Sequence, residues 1–93
     1  MSWAQRPSAR RIADVYPQRA LREGVGGRVV LDCVVQPALD VACTVASETP
    51  TGEGFGRAAL AASSAYRASA TLSNGQSAVG AQTRISVSFR SPD

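Results

Sequence analysis

The chain contains no histidine and no lysine among its 93 residues, and only two cysteines. Without histidine there is no His-based triad, no His zinc site and no His proton shuttle. Two cysteines cannot build a four-thiolate zinc site. Aromatics are scarce as well: one Trp, two Tyr and two Phe. Long apolar runs are missing. The longest, Val29 to Leu31 and Ala58 to Ala62, fall far short of the roughly 20 residues of a membrane-spanning helix. Nothing near Met1 reads as a signal peptide, because no apolar stretch follows the arginines at Arg6, Arg10 and Arg11. No cofactor motif and no metal-ligand set is visible.

What remains is enough for one small domain. A chain this short buries a modest share of its surface, so a covalent staple would help it. Apolar residues make up 44%, but 16 positions are Ala, which implies a thin core packed around small side chains. The formal charge is +3 and all ten cationic residues are Arg. Five of the ten lie in the first 22 residues, against the single acid Asp14. A solvated basic arm is the simplest reading; an acidic partner or an anionic membrane surface is the alternative. Nucleic acid is not expected, since no aromatics are interleaved with the arginines as stacking platforms.

Residues 1–13 read as an N-terminal lead-in and residues 14–93 as the domain. In the lead-in, Ser8 can cap a short turn through Ala9 to Asp14, and Trp3 either tucks onto the domain or hangs loose. Tyr16-Pro17 opens a two-turn helix that Gly24 ends. From Arg28 to Gln36 the residues alternate, with Val29, Leu31, Cys33 and Val35 on one face. The other face, carrying Val30 and Val34, is half apolar and expected to be partly covered. Pro37-Ala38-Leu39-Asp40 reads as a turn before a second strand, Val41 to Ser47, with Val41, Cys43 and Val45 on one face. Phe55 to Arg67 reads as a helix, with Phe55, Ala59, Ala62 and Tyr66 at helical spacing and small residues allowing close approach to a sheet. Ser73-Asn74-Gly75-Gln76 is a turn. In Thr83 to Arg90, Ile85, Val87 and Phe89 alternate with Arg84, Ser86, Ser88 and Arg90, which gives a strand with one dry and one wet face. The order helix-strand-strand-helix-strand predicts an α+β, two-layer domain: a three-stranded antiparallel sheet with two helices on one face.

Folding the hairpin about Ala38 sets Cys33 and Cys43 opposite one another, each five residues from the pivot. Opposed strand residues have Cα atoms about 4.5–5.5 Å apart, which a disulfide can bridge. Two buried free thiols acting as small hydrophobes are the alternative. A bridge would point to an oxidising compartment.

Several of these segments together resemble the C-terminal domain family of TonB, in a cysteine-bearing, proteobacterial-type variant. They are Tyr16-Pro17 with Ala20, then Gly27-Arg28-Val29, Cys33, Cys43 and Val45. The most specific run is Glu48-Thr49-Pro50-Thr51-Gly52-Glu53-Gly54-Phe55-Gly56-Arg57-Ala58-Ala59-Leu60. Asn74-Gly75-Gln76 and Ile85-Ser86-Val87-Ser88-Phe89 complete the likeness, which spans about residues 14–90. Two departures stand out. The hairpin turn, Pro37-Ala38-Leu39-Asp40, lacks the family's usual Gly. The helix ends in Tyr66-Arg67-Ala68-Ser69-Ala70, where the family carries larger residues and then Pro.

The resemblance implies a periplasmic protein-interaction domain of an energy transducer, with no enzymatic activity. It implies binding of the TonB box, a short extended segment of outer-membrane transporters, by addition to the last strand. That strand maps to Thr83, Arg84, Ile85, Ser86, Val87, Ser88, Phe89 and Arg90, where Arg84 and Arg90 could favour acidic neighbours in the peptide. It also implies coupling to an inner-membrane motor complex through an N-terminal anchor that this sequence does not contain. An open edge equally permits a strand-exchanged homodimer. A structural or sensory periplasmic domain with the same fold and no transporter partner is the second reading. An enzyme built on Glu48 and Glu53 is the weakest, since a turn residue and a helix-start charge account for both.

Overall fold

The computed structural model describes residues 2–90, and its centre is the alternating strand of the first hairpin. In chain order the elements are β1 (Trp3–Gln5), α1 (Ala9–Val15), α2 (Gln18–Glu23), β2 (Gly27–Val35), β3 (Val41–Thr49), α3 (Phe55–Ser63), β4 (Arg67–Ala68) and β5 (Gln82–Phe89). Residues 1 and 91–93, which the expected lead-in and domain include at their ends, lie outside the described residues. Strand β2 is central in an antiparallel sheet of order β3-β2-β5, and β1 pairs with β4 in a separate short ladder. This is the α+β architecture that the alternation predicts, with one further helix and one further ladder.

The period of two makes the sheet two-faced. Val29, Leu31, Cys33 and Val35 of β2 are buried together with Ile85, Val87 and Phe89 of β5. Burying a large aliphatic or aromatic side chain contributes about 1.5–3 kcal/mol. The helices cover this face: Phe55, Ala59 and Ala62 of α3 and Ala20 of α2 are all fully buried. The opposite face is not covered as expected. Val34 is 41% exposed and Val30 half-buried. Their cross-strand neighbours, Ser47, Ser86, Ala42 and Gln82, are small or polar, and among the described residues no helix lies over them.

Three rings meet at the centre. Tyr16 stands edge-on to Phe55 and Phe89 at centroid distances of 5.8 and 5.5 Å, and Phe55 lies 5.2 Å from Phe89. The Tyr16 hydroxyl donates to the Val25 carbonyl at 2.6 Å, which satisfies its one polar atom. Pro17 separates α1 from α2, because the residue before a proline is pushed out of the helical region; Tyr16 has ψ 129°. Ser8 caps α1, accepting from the Arg11 N–H at 3.0 Å. Gly24, at φ 70°, closes α2, with its N–H on the Leu21 carbonyl and the Val25 N–H on that of Ala20.

Two boundaries differ from the sequence reading by two residues or more. Helix α3 stops at Ser63, four residues before Arg67. The Ser63 and Ser64 hydroxyls donate back to the Leu60 and Ala61 carbonyls, and the Ala65 and Tyr66 N–H groups bond three residues back. Such bonds tighten and end a helix. Arg67 and Ala68 then pair with Gln5 and Trp3, and Tyr66 packs edge-on against Trp3 at 5.0 Å. Burial there pushes the Tyr66 phenol above its usual pKa of 10.0. Strand β3 runs on to Thr49, with an extra residue, Ala46, between the pairs Leu31↔Val45 and Val30↔Ser47. That bulge bends the strand, and Val45 is left 38% exposed.

Cys33 and Cys43 are directly opposed and joined, with Cα atoms 4.1 Å apart. The bridge closes a loop of sequence separation 10 between the central strand and its outer neighbour. In the chain-entropy picture this contributes about 2.5–3 kcal/mol. Thermal melts with and without reductant are expected to differ by about 10–20 °C, the reduced protein melting lower. Equal melting temperatures would show that packing alone holds the hairpin.

Candidate functional site

A three-stranded sheet has two edges, and here they are unequal. The β3 edge is interrupted by the bulge at Ala46 and runs under α3. The β5 edge pairs with β2 over eight consecutive residues with no register shift. A regular edge is a template for another extended chain; a bulged one is a poor one.

The register determines which backbone groups of β5 are available. The Val35 N–H donates to the Ala81 carbonyl at 3.0 Å. Antiparallel pairs alternate between bonded and non-bonded. Continued along the ladder, this makes Thr83, Ile85, Val87 and Phe89 the residues that exchange bonds with Cys33, Leu31, Val29 and Gly27. The N–H and C=O groups of Arg84, Ser86 and Ser88 then point away from β2. Among the described residues, no backbone group from Gln82 to Arg90 bonds anything in the chain but β2.

The side chains divide the same way. Ile85, Val87 and Phe89 are 5%, 3% and 2% exposed and form part of the core; Thr83 is half-buried beside them. Arg84, Ser86, Ser88 and Arg90 are exposed on the open face. Arg84 is engaged across the sheet, its Nε donating to Asp32 Oδ1 at 2.8 Å. Both side chains are more than half exposed, so the pair is worth at most about 1 kcal/mol. The strand runs from Gln82 to Phe89, one residue earlier at each end than the alternation suggests, and Arg90 lies just past it.

Of the two candidate carboxylates, Glu53 is half-buried in the turn before α3. The Glu48 carboxylate lies against Gly56 in the first turn of α3, close enough that a Cβ there would meet Oε1 at 2.5 Å. An acid at a helix start is favoured by the dipole. Among the described residues no group of three or more Asp, Glu, Cys or His stands together as a metal site. No described helix is long and apolar enough to cross a membrane.

One feature escaped the sequence. Against the C-terminal half of the β5 edge lies a groove of about 360 Å³, walled by Ile12 and Ala13 of α1, by Tyr16 at its C-terminal end and by Leu21 of α2, and reaching Ser88 and Arg90. Three separate segments build it, so no local pattern announces it.

The family model for the Gram-negative bacterial TonB protein C-terminal matches residues 13–91. No curated protein matches the chain.

Proposed function

The chain belongs to the family of Gram-negative bacterial TonB protein C-terminal domains, and we propose that it docks outer-membrane transporters by adding their TonB box to strand β5. Membership makes it a TonB-type C-terminal interaction domain. The proposal adds the partner, the strand and the compartment. The observation that carries it is the outward backbone of Arg84, Ser86 and Ser88 on an unbulged edge. An extended peptide laid there would exchange main-chain bonds with every second residue, and those bonds would supply the grip whatever the peptide's side chains.

The disulfide supports a periplasmic setting, since such bridges persist in oxidising compartments. It also ties β2, the template on which β5 rests, to β3. A domain that transmits force to a partner gains from a sheet that does not shear. The pull itself would come from an inner-membrane motor complex, reached through an N-terminal anchor of a full-length transducer. Arg84 is already engaged by Asp32, so Arg90 is the better partner for an acid in the peptide.

Titration of the oxidised, isotope-labelled domain with TonB-box peptides, followed by NMR, tests this reading. The expected result is shifts concentrated on residues 82–90, with slowed amide exchange at Arg84, Ser86 and Ser88. A folded, monomeric domain with no shifts at millimolar peptide would favour a structural or sensory role. Shifts confined to β3 would move the site to the other edge.

A further inference from the structure

We infer that the groove beside β5 is a side-chain pocket that selects an aliphatic residue in any peptide added to that edge. The inference rests on the reading of β5 as a docking strand. The groove is continuous with the edge, since it reaches Ser88 and Arg90. By the register, Ser88 is one of the residues whose backbone groups point outward. A strand added to β5 continues its pleat, and directly opposed residues put their side chains on one face. The added residue opposite Phe89 therefore turns its side chain toward the helix layer. There it meets Ile12, Ala13, Tyr16 and Leu21.

The chemistry of the walls defines the occupant. Ile12 is half-buried and Leu21 is 37% exposed, so both present apolar surface that the fold leaves uncovered. The Tyr16 hydroxyl is spent on the Val25 carbonyl and the residue is 5% exposed, so it offers the groove no free polar group. A hydroxyl or carboxylate pushed among Ile12, Ala13, Tyr16 and Leu21 would lose its water and find no partner on those four walls; the groove's polar lining is Ser88 and Arg90, on its β5 side. An aliphatic side chain loses nothing and covers apolar surface. The main chain of β5 is indifferent to sequence, so this pocket is where a preference for one peptide over another arises.

Two acetylated and amidated heptapeptides test the inference: one all Thr, the other with Leu at its centre. Both can pair with an edge strand, and only the second carries an anchor. Titrations follow the amides of Ser86 and Ser88 and the methyl groups of Ile12 and Leu21. The Leu peptide is expected to bind about tenfold or more tightly than the Thr peptide and to shift both sets of signals. In the Leu21→Glu variant, whose altered side chain is partly exposed, both peptides are expected to shift the edge amides with nearly equal affinity. Equal affinity of the two peptides for the natural chain, with edge shifts only, would overturn the pocket and leave strand capture standing. Methyl shifts without edge shifts would overturn the link between groove and strand. No shifts from either peptide at millimolar concentration would overturn strand capture, and the pocket with it.

Discussion

Ser86→Pro is expected to weaken peptide capture strongly while the domain stays folded. Proline lacks an N–H and is tolerated in a sheet only where that N–H would face outward at an edge. The register puts Ser86 opposite Val30 in a non-bonded pair, so its N–H points to the open side. Its side chain is exposed on the uncovered face, and nothing in the core is displaced. The incoming peptide loses one main-chain bond, and the proline ring obstructs the edge beside it. A loss of about tenfold or more in affinity is expected. Val87→Pro, one residue along, is the matched control. Its N–H belongs to the β2 ladder opposite Val29, and its side chain is 3% exposed. That variant is expected to melt well below Ser86→Pro. If instead both variants melt alike, the register is not the one described. If Ser86→Pro binds peptide as the natural chain does, the β5 edge is not the docking strand.

Phe55→Ala is expected to cost about 3–5 kcal/mol. The ring is fully buried, touches both other core rings and lies across Gly27 at the start of β2. Its loss removes transfer energy and leaves a cavity that α3 can close only by sliding on β2 and β3. A domain of this size has a total stability of about 5–15 kcal/mol, so the variant sits near its folding limit. The less drastic pair of Gly27 and Phe55 shows the same contact from the other side. A Cβ added at Gly27 would stand 2.6 Å from the ring's Cδ2 and Cε2. Gly27→Ala is therefore expected to cost about 1–3 kcal/mol through overpacking. In a Phe55→Leu background, where the ring is gone, the penalty is expected to shrink. Chemical denaturation of the four proteins of this cycle measures the coupling. Additive effects would show that Gly27 and Phe55 do not share a contact in solution.

How far the sequence discloses this molecule depends on the range of the pattern that encodes each part. The alternation of Ile85, Val87 and Phe89 against Arg and Ser marks β5, since a period of two over eight residues has no other use. Counting outward from Ala38 is enough to oppose Cys33 and Cys43, because a hairpin turns sequence distance into register. The end of α3 was not legible. Tyr66 keeps helical spacing with Phe55, Ala59 and Ala62, yet serine hydroxyls at Ser63 and Ser64 end the helix first, and burial against Trp3 suits Tyr66 equally well off the helix. The β1–β4 ladder has strands of three and two residues, too short to show a period. The face of β2 with Val30 and Val34 reads as partly covered; the small or polar neighbours across the strands, not the valines, determine that it meets water. The edge position of β5 was readable only from the resemblance, because being last in the sequence does not fix a strand's place in a sheet. The groove beside it joins Ile12, Tyr16, Leu21 and Ser88 across a long stretch of chain, and only the fold brings them together.

The most direct measurement is a set of intermolecular NOEs between the labelled domain and an unlabelled TonB-box peptide in a saturated complex. The account predicts contacts from the peptide backbone to the amide protons of Arg84, Ser86 and Ser88, and none to those of Ile85 and Val87, which face β2. Contacts to Val41, Cys43 and Val45 of β3 instead, or a bound peptide with no alternation along β5, would contradict it.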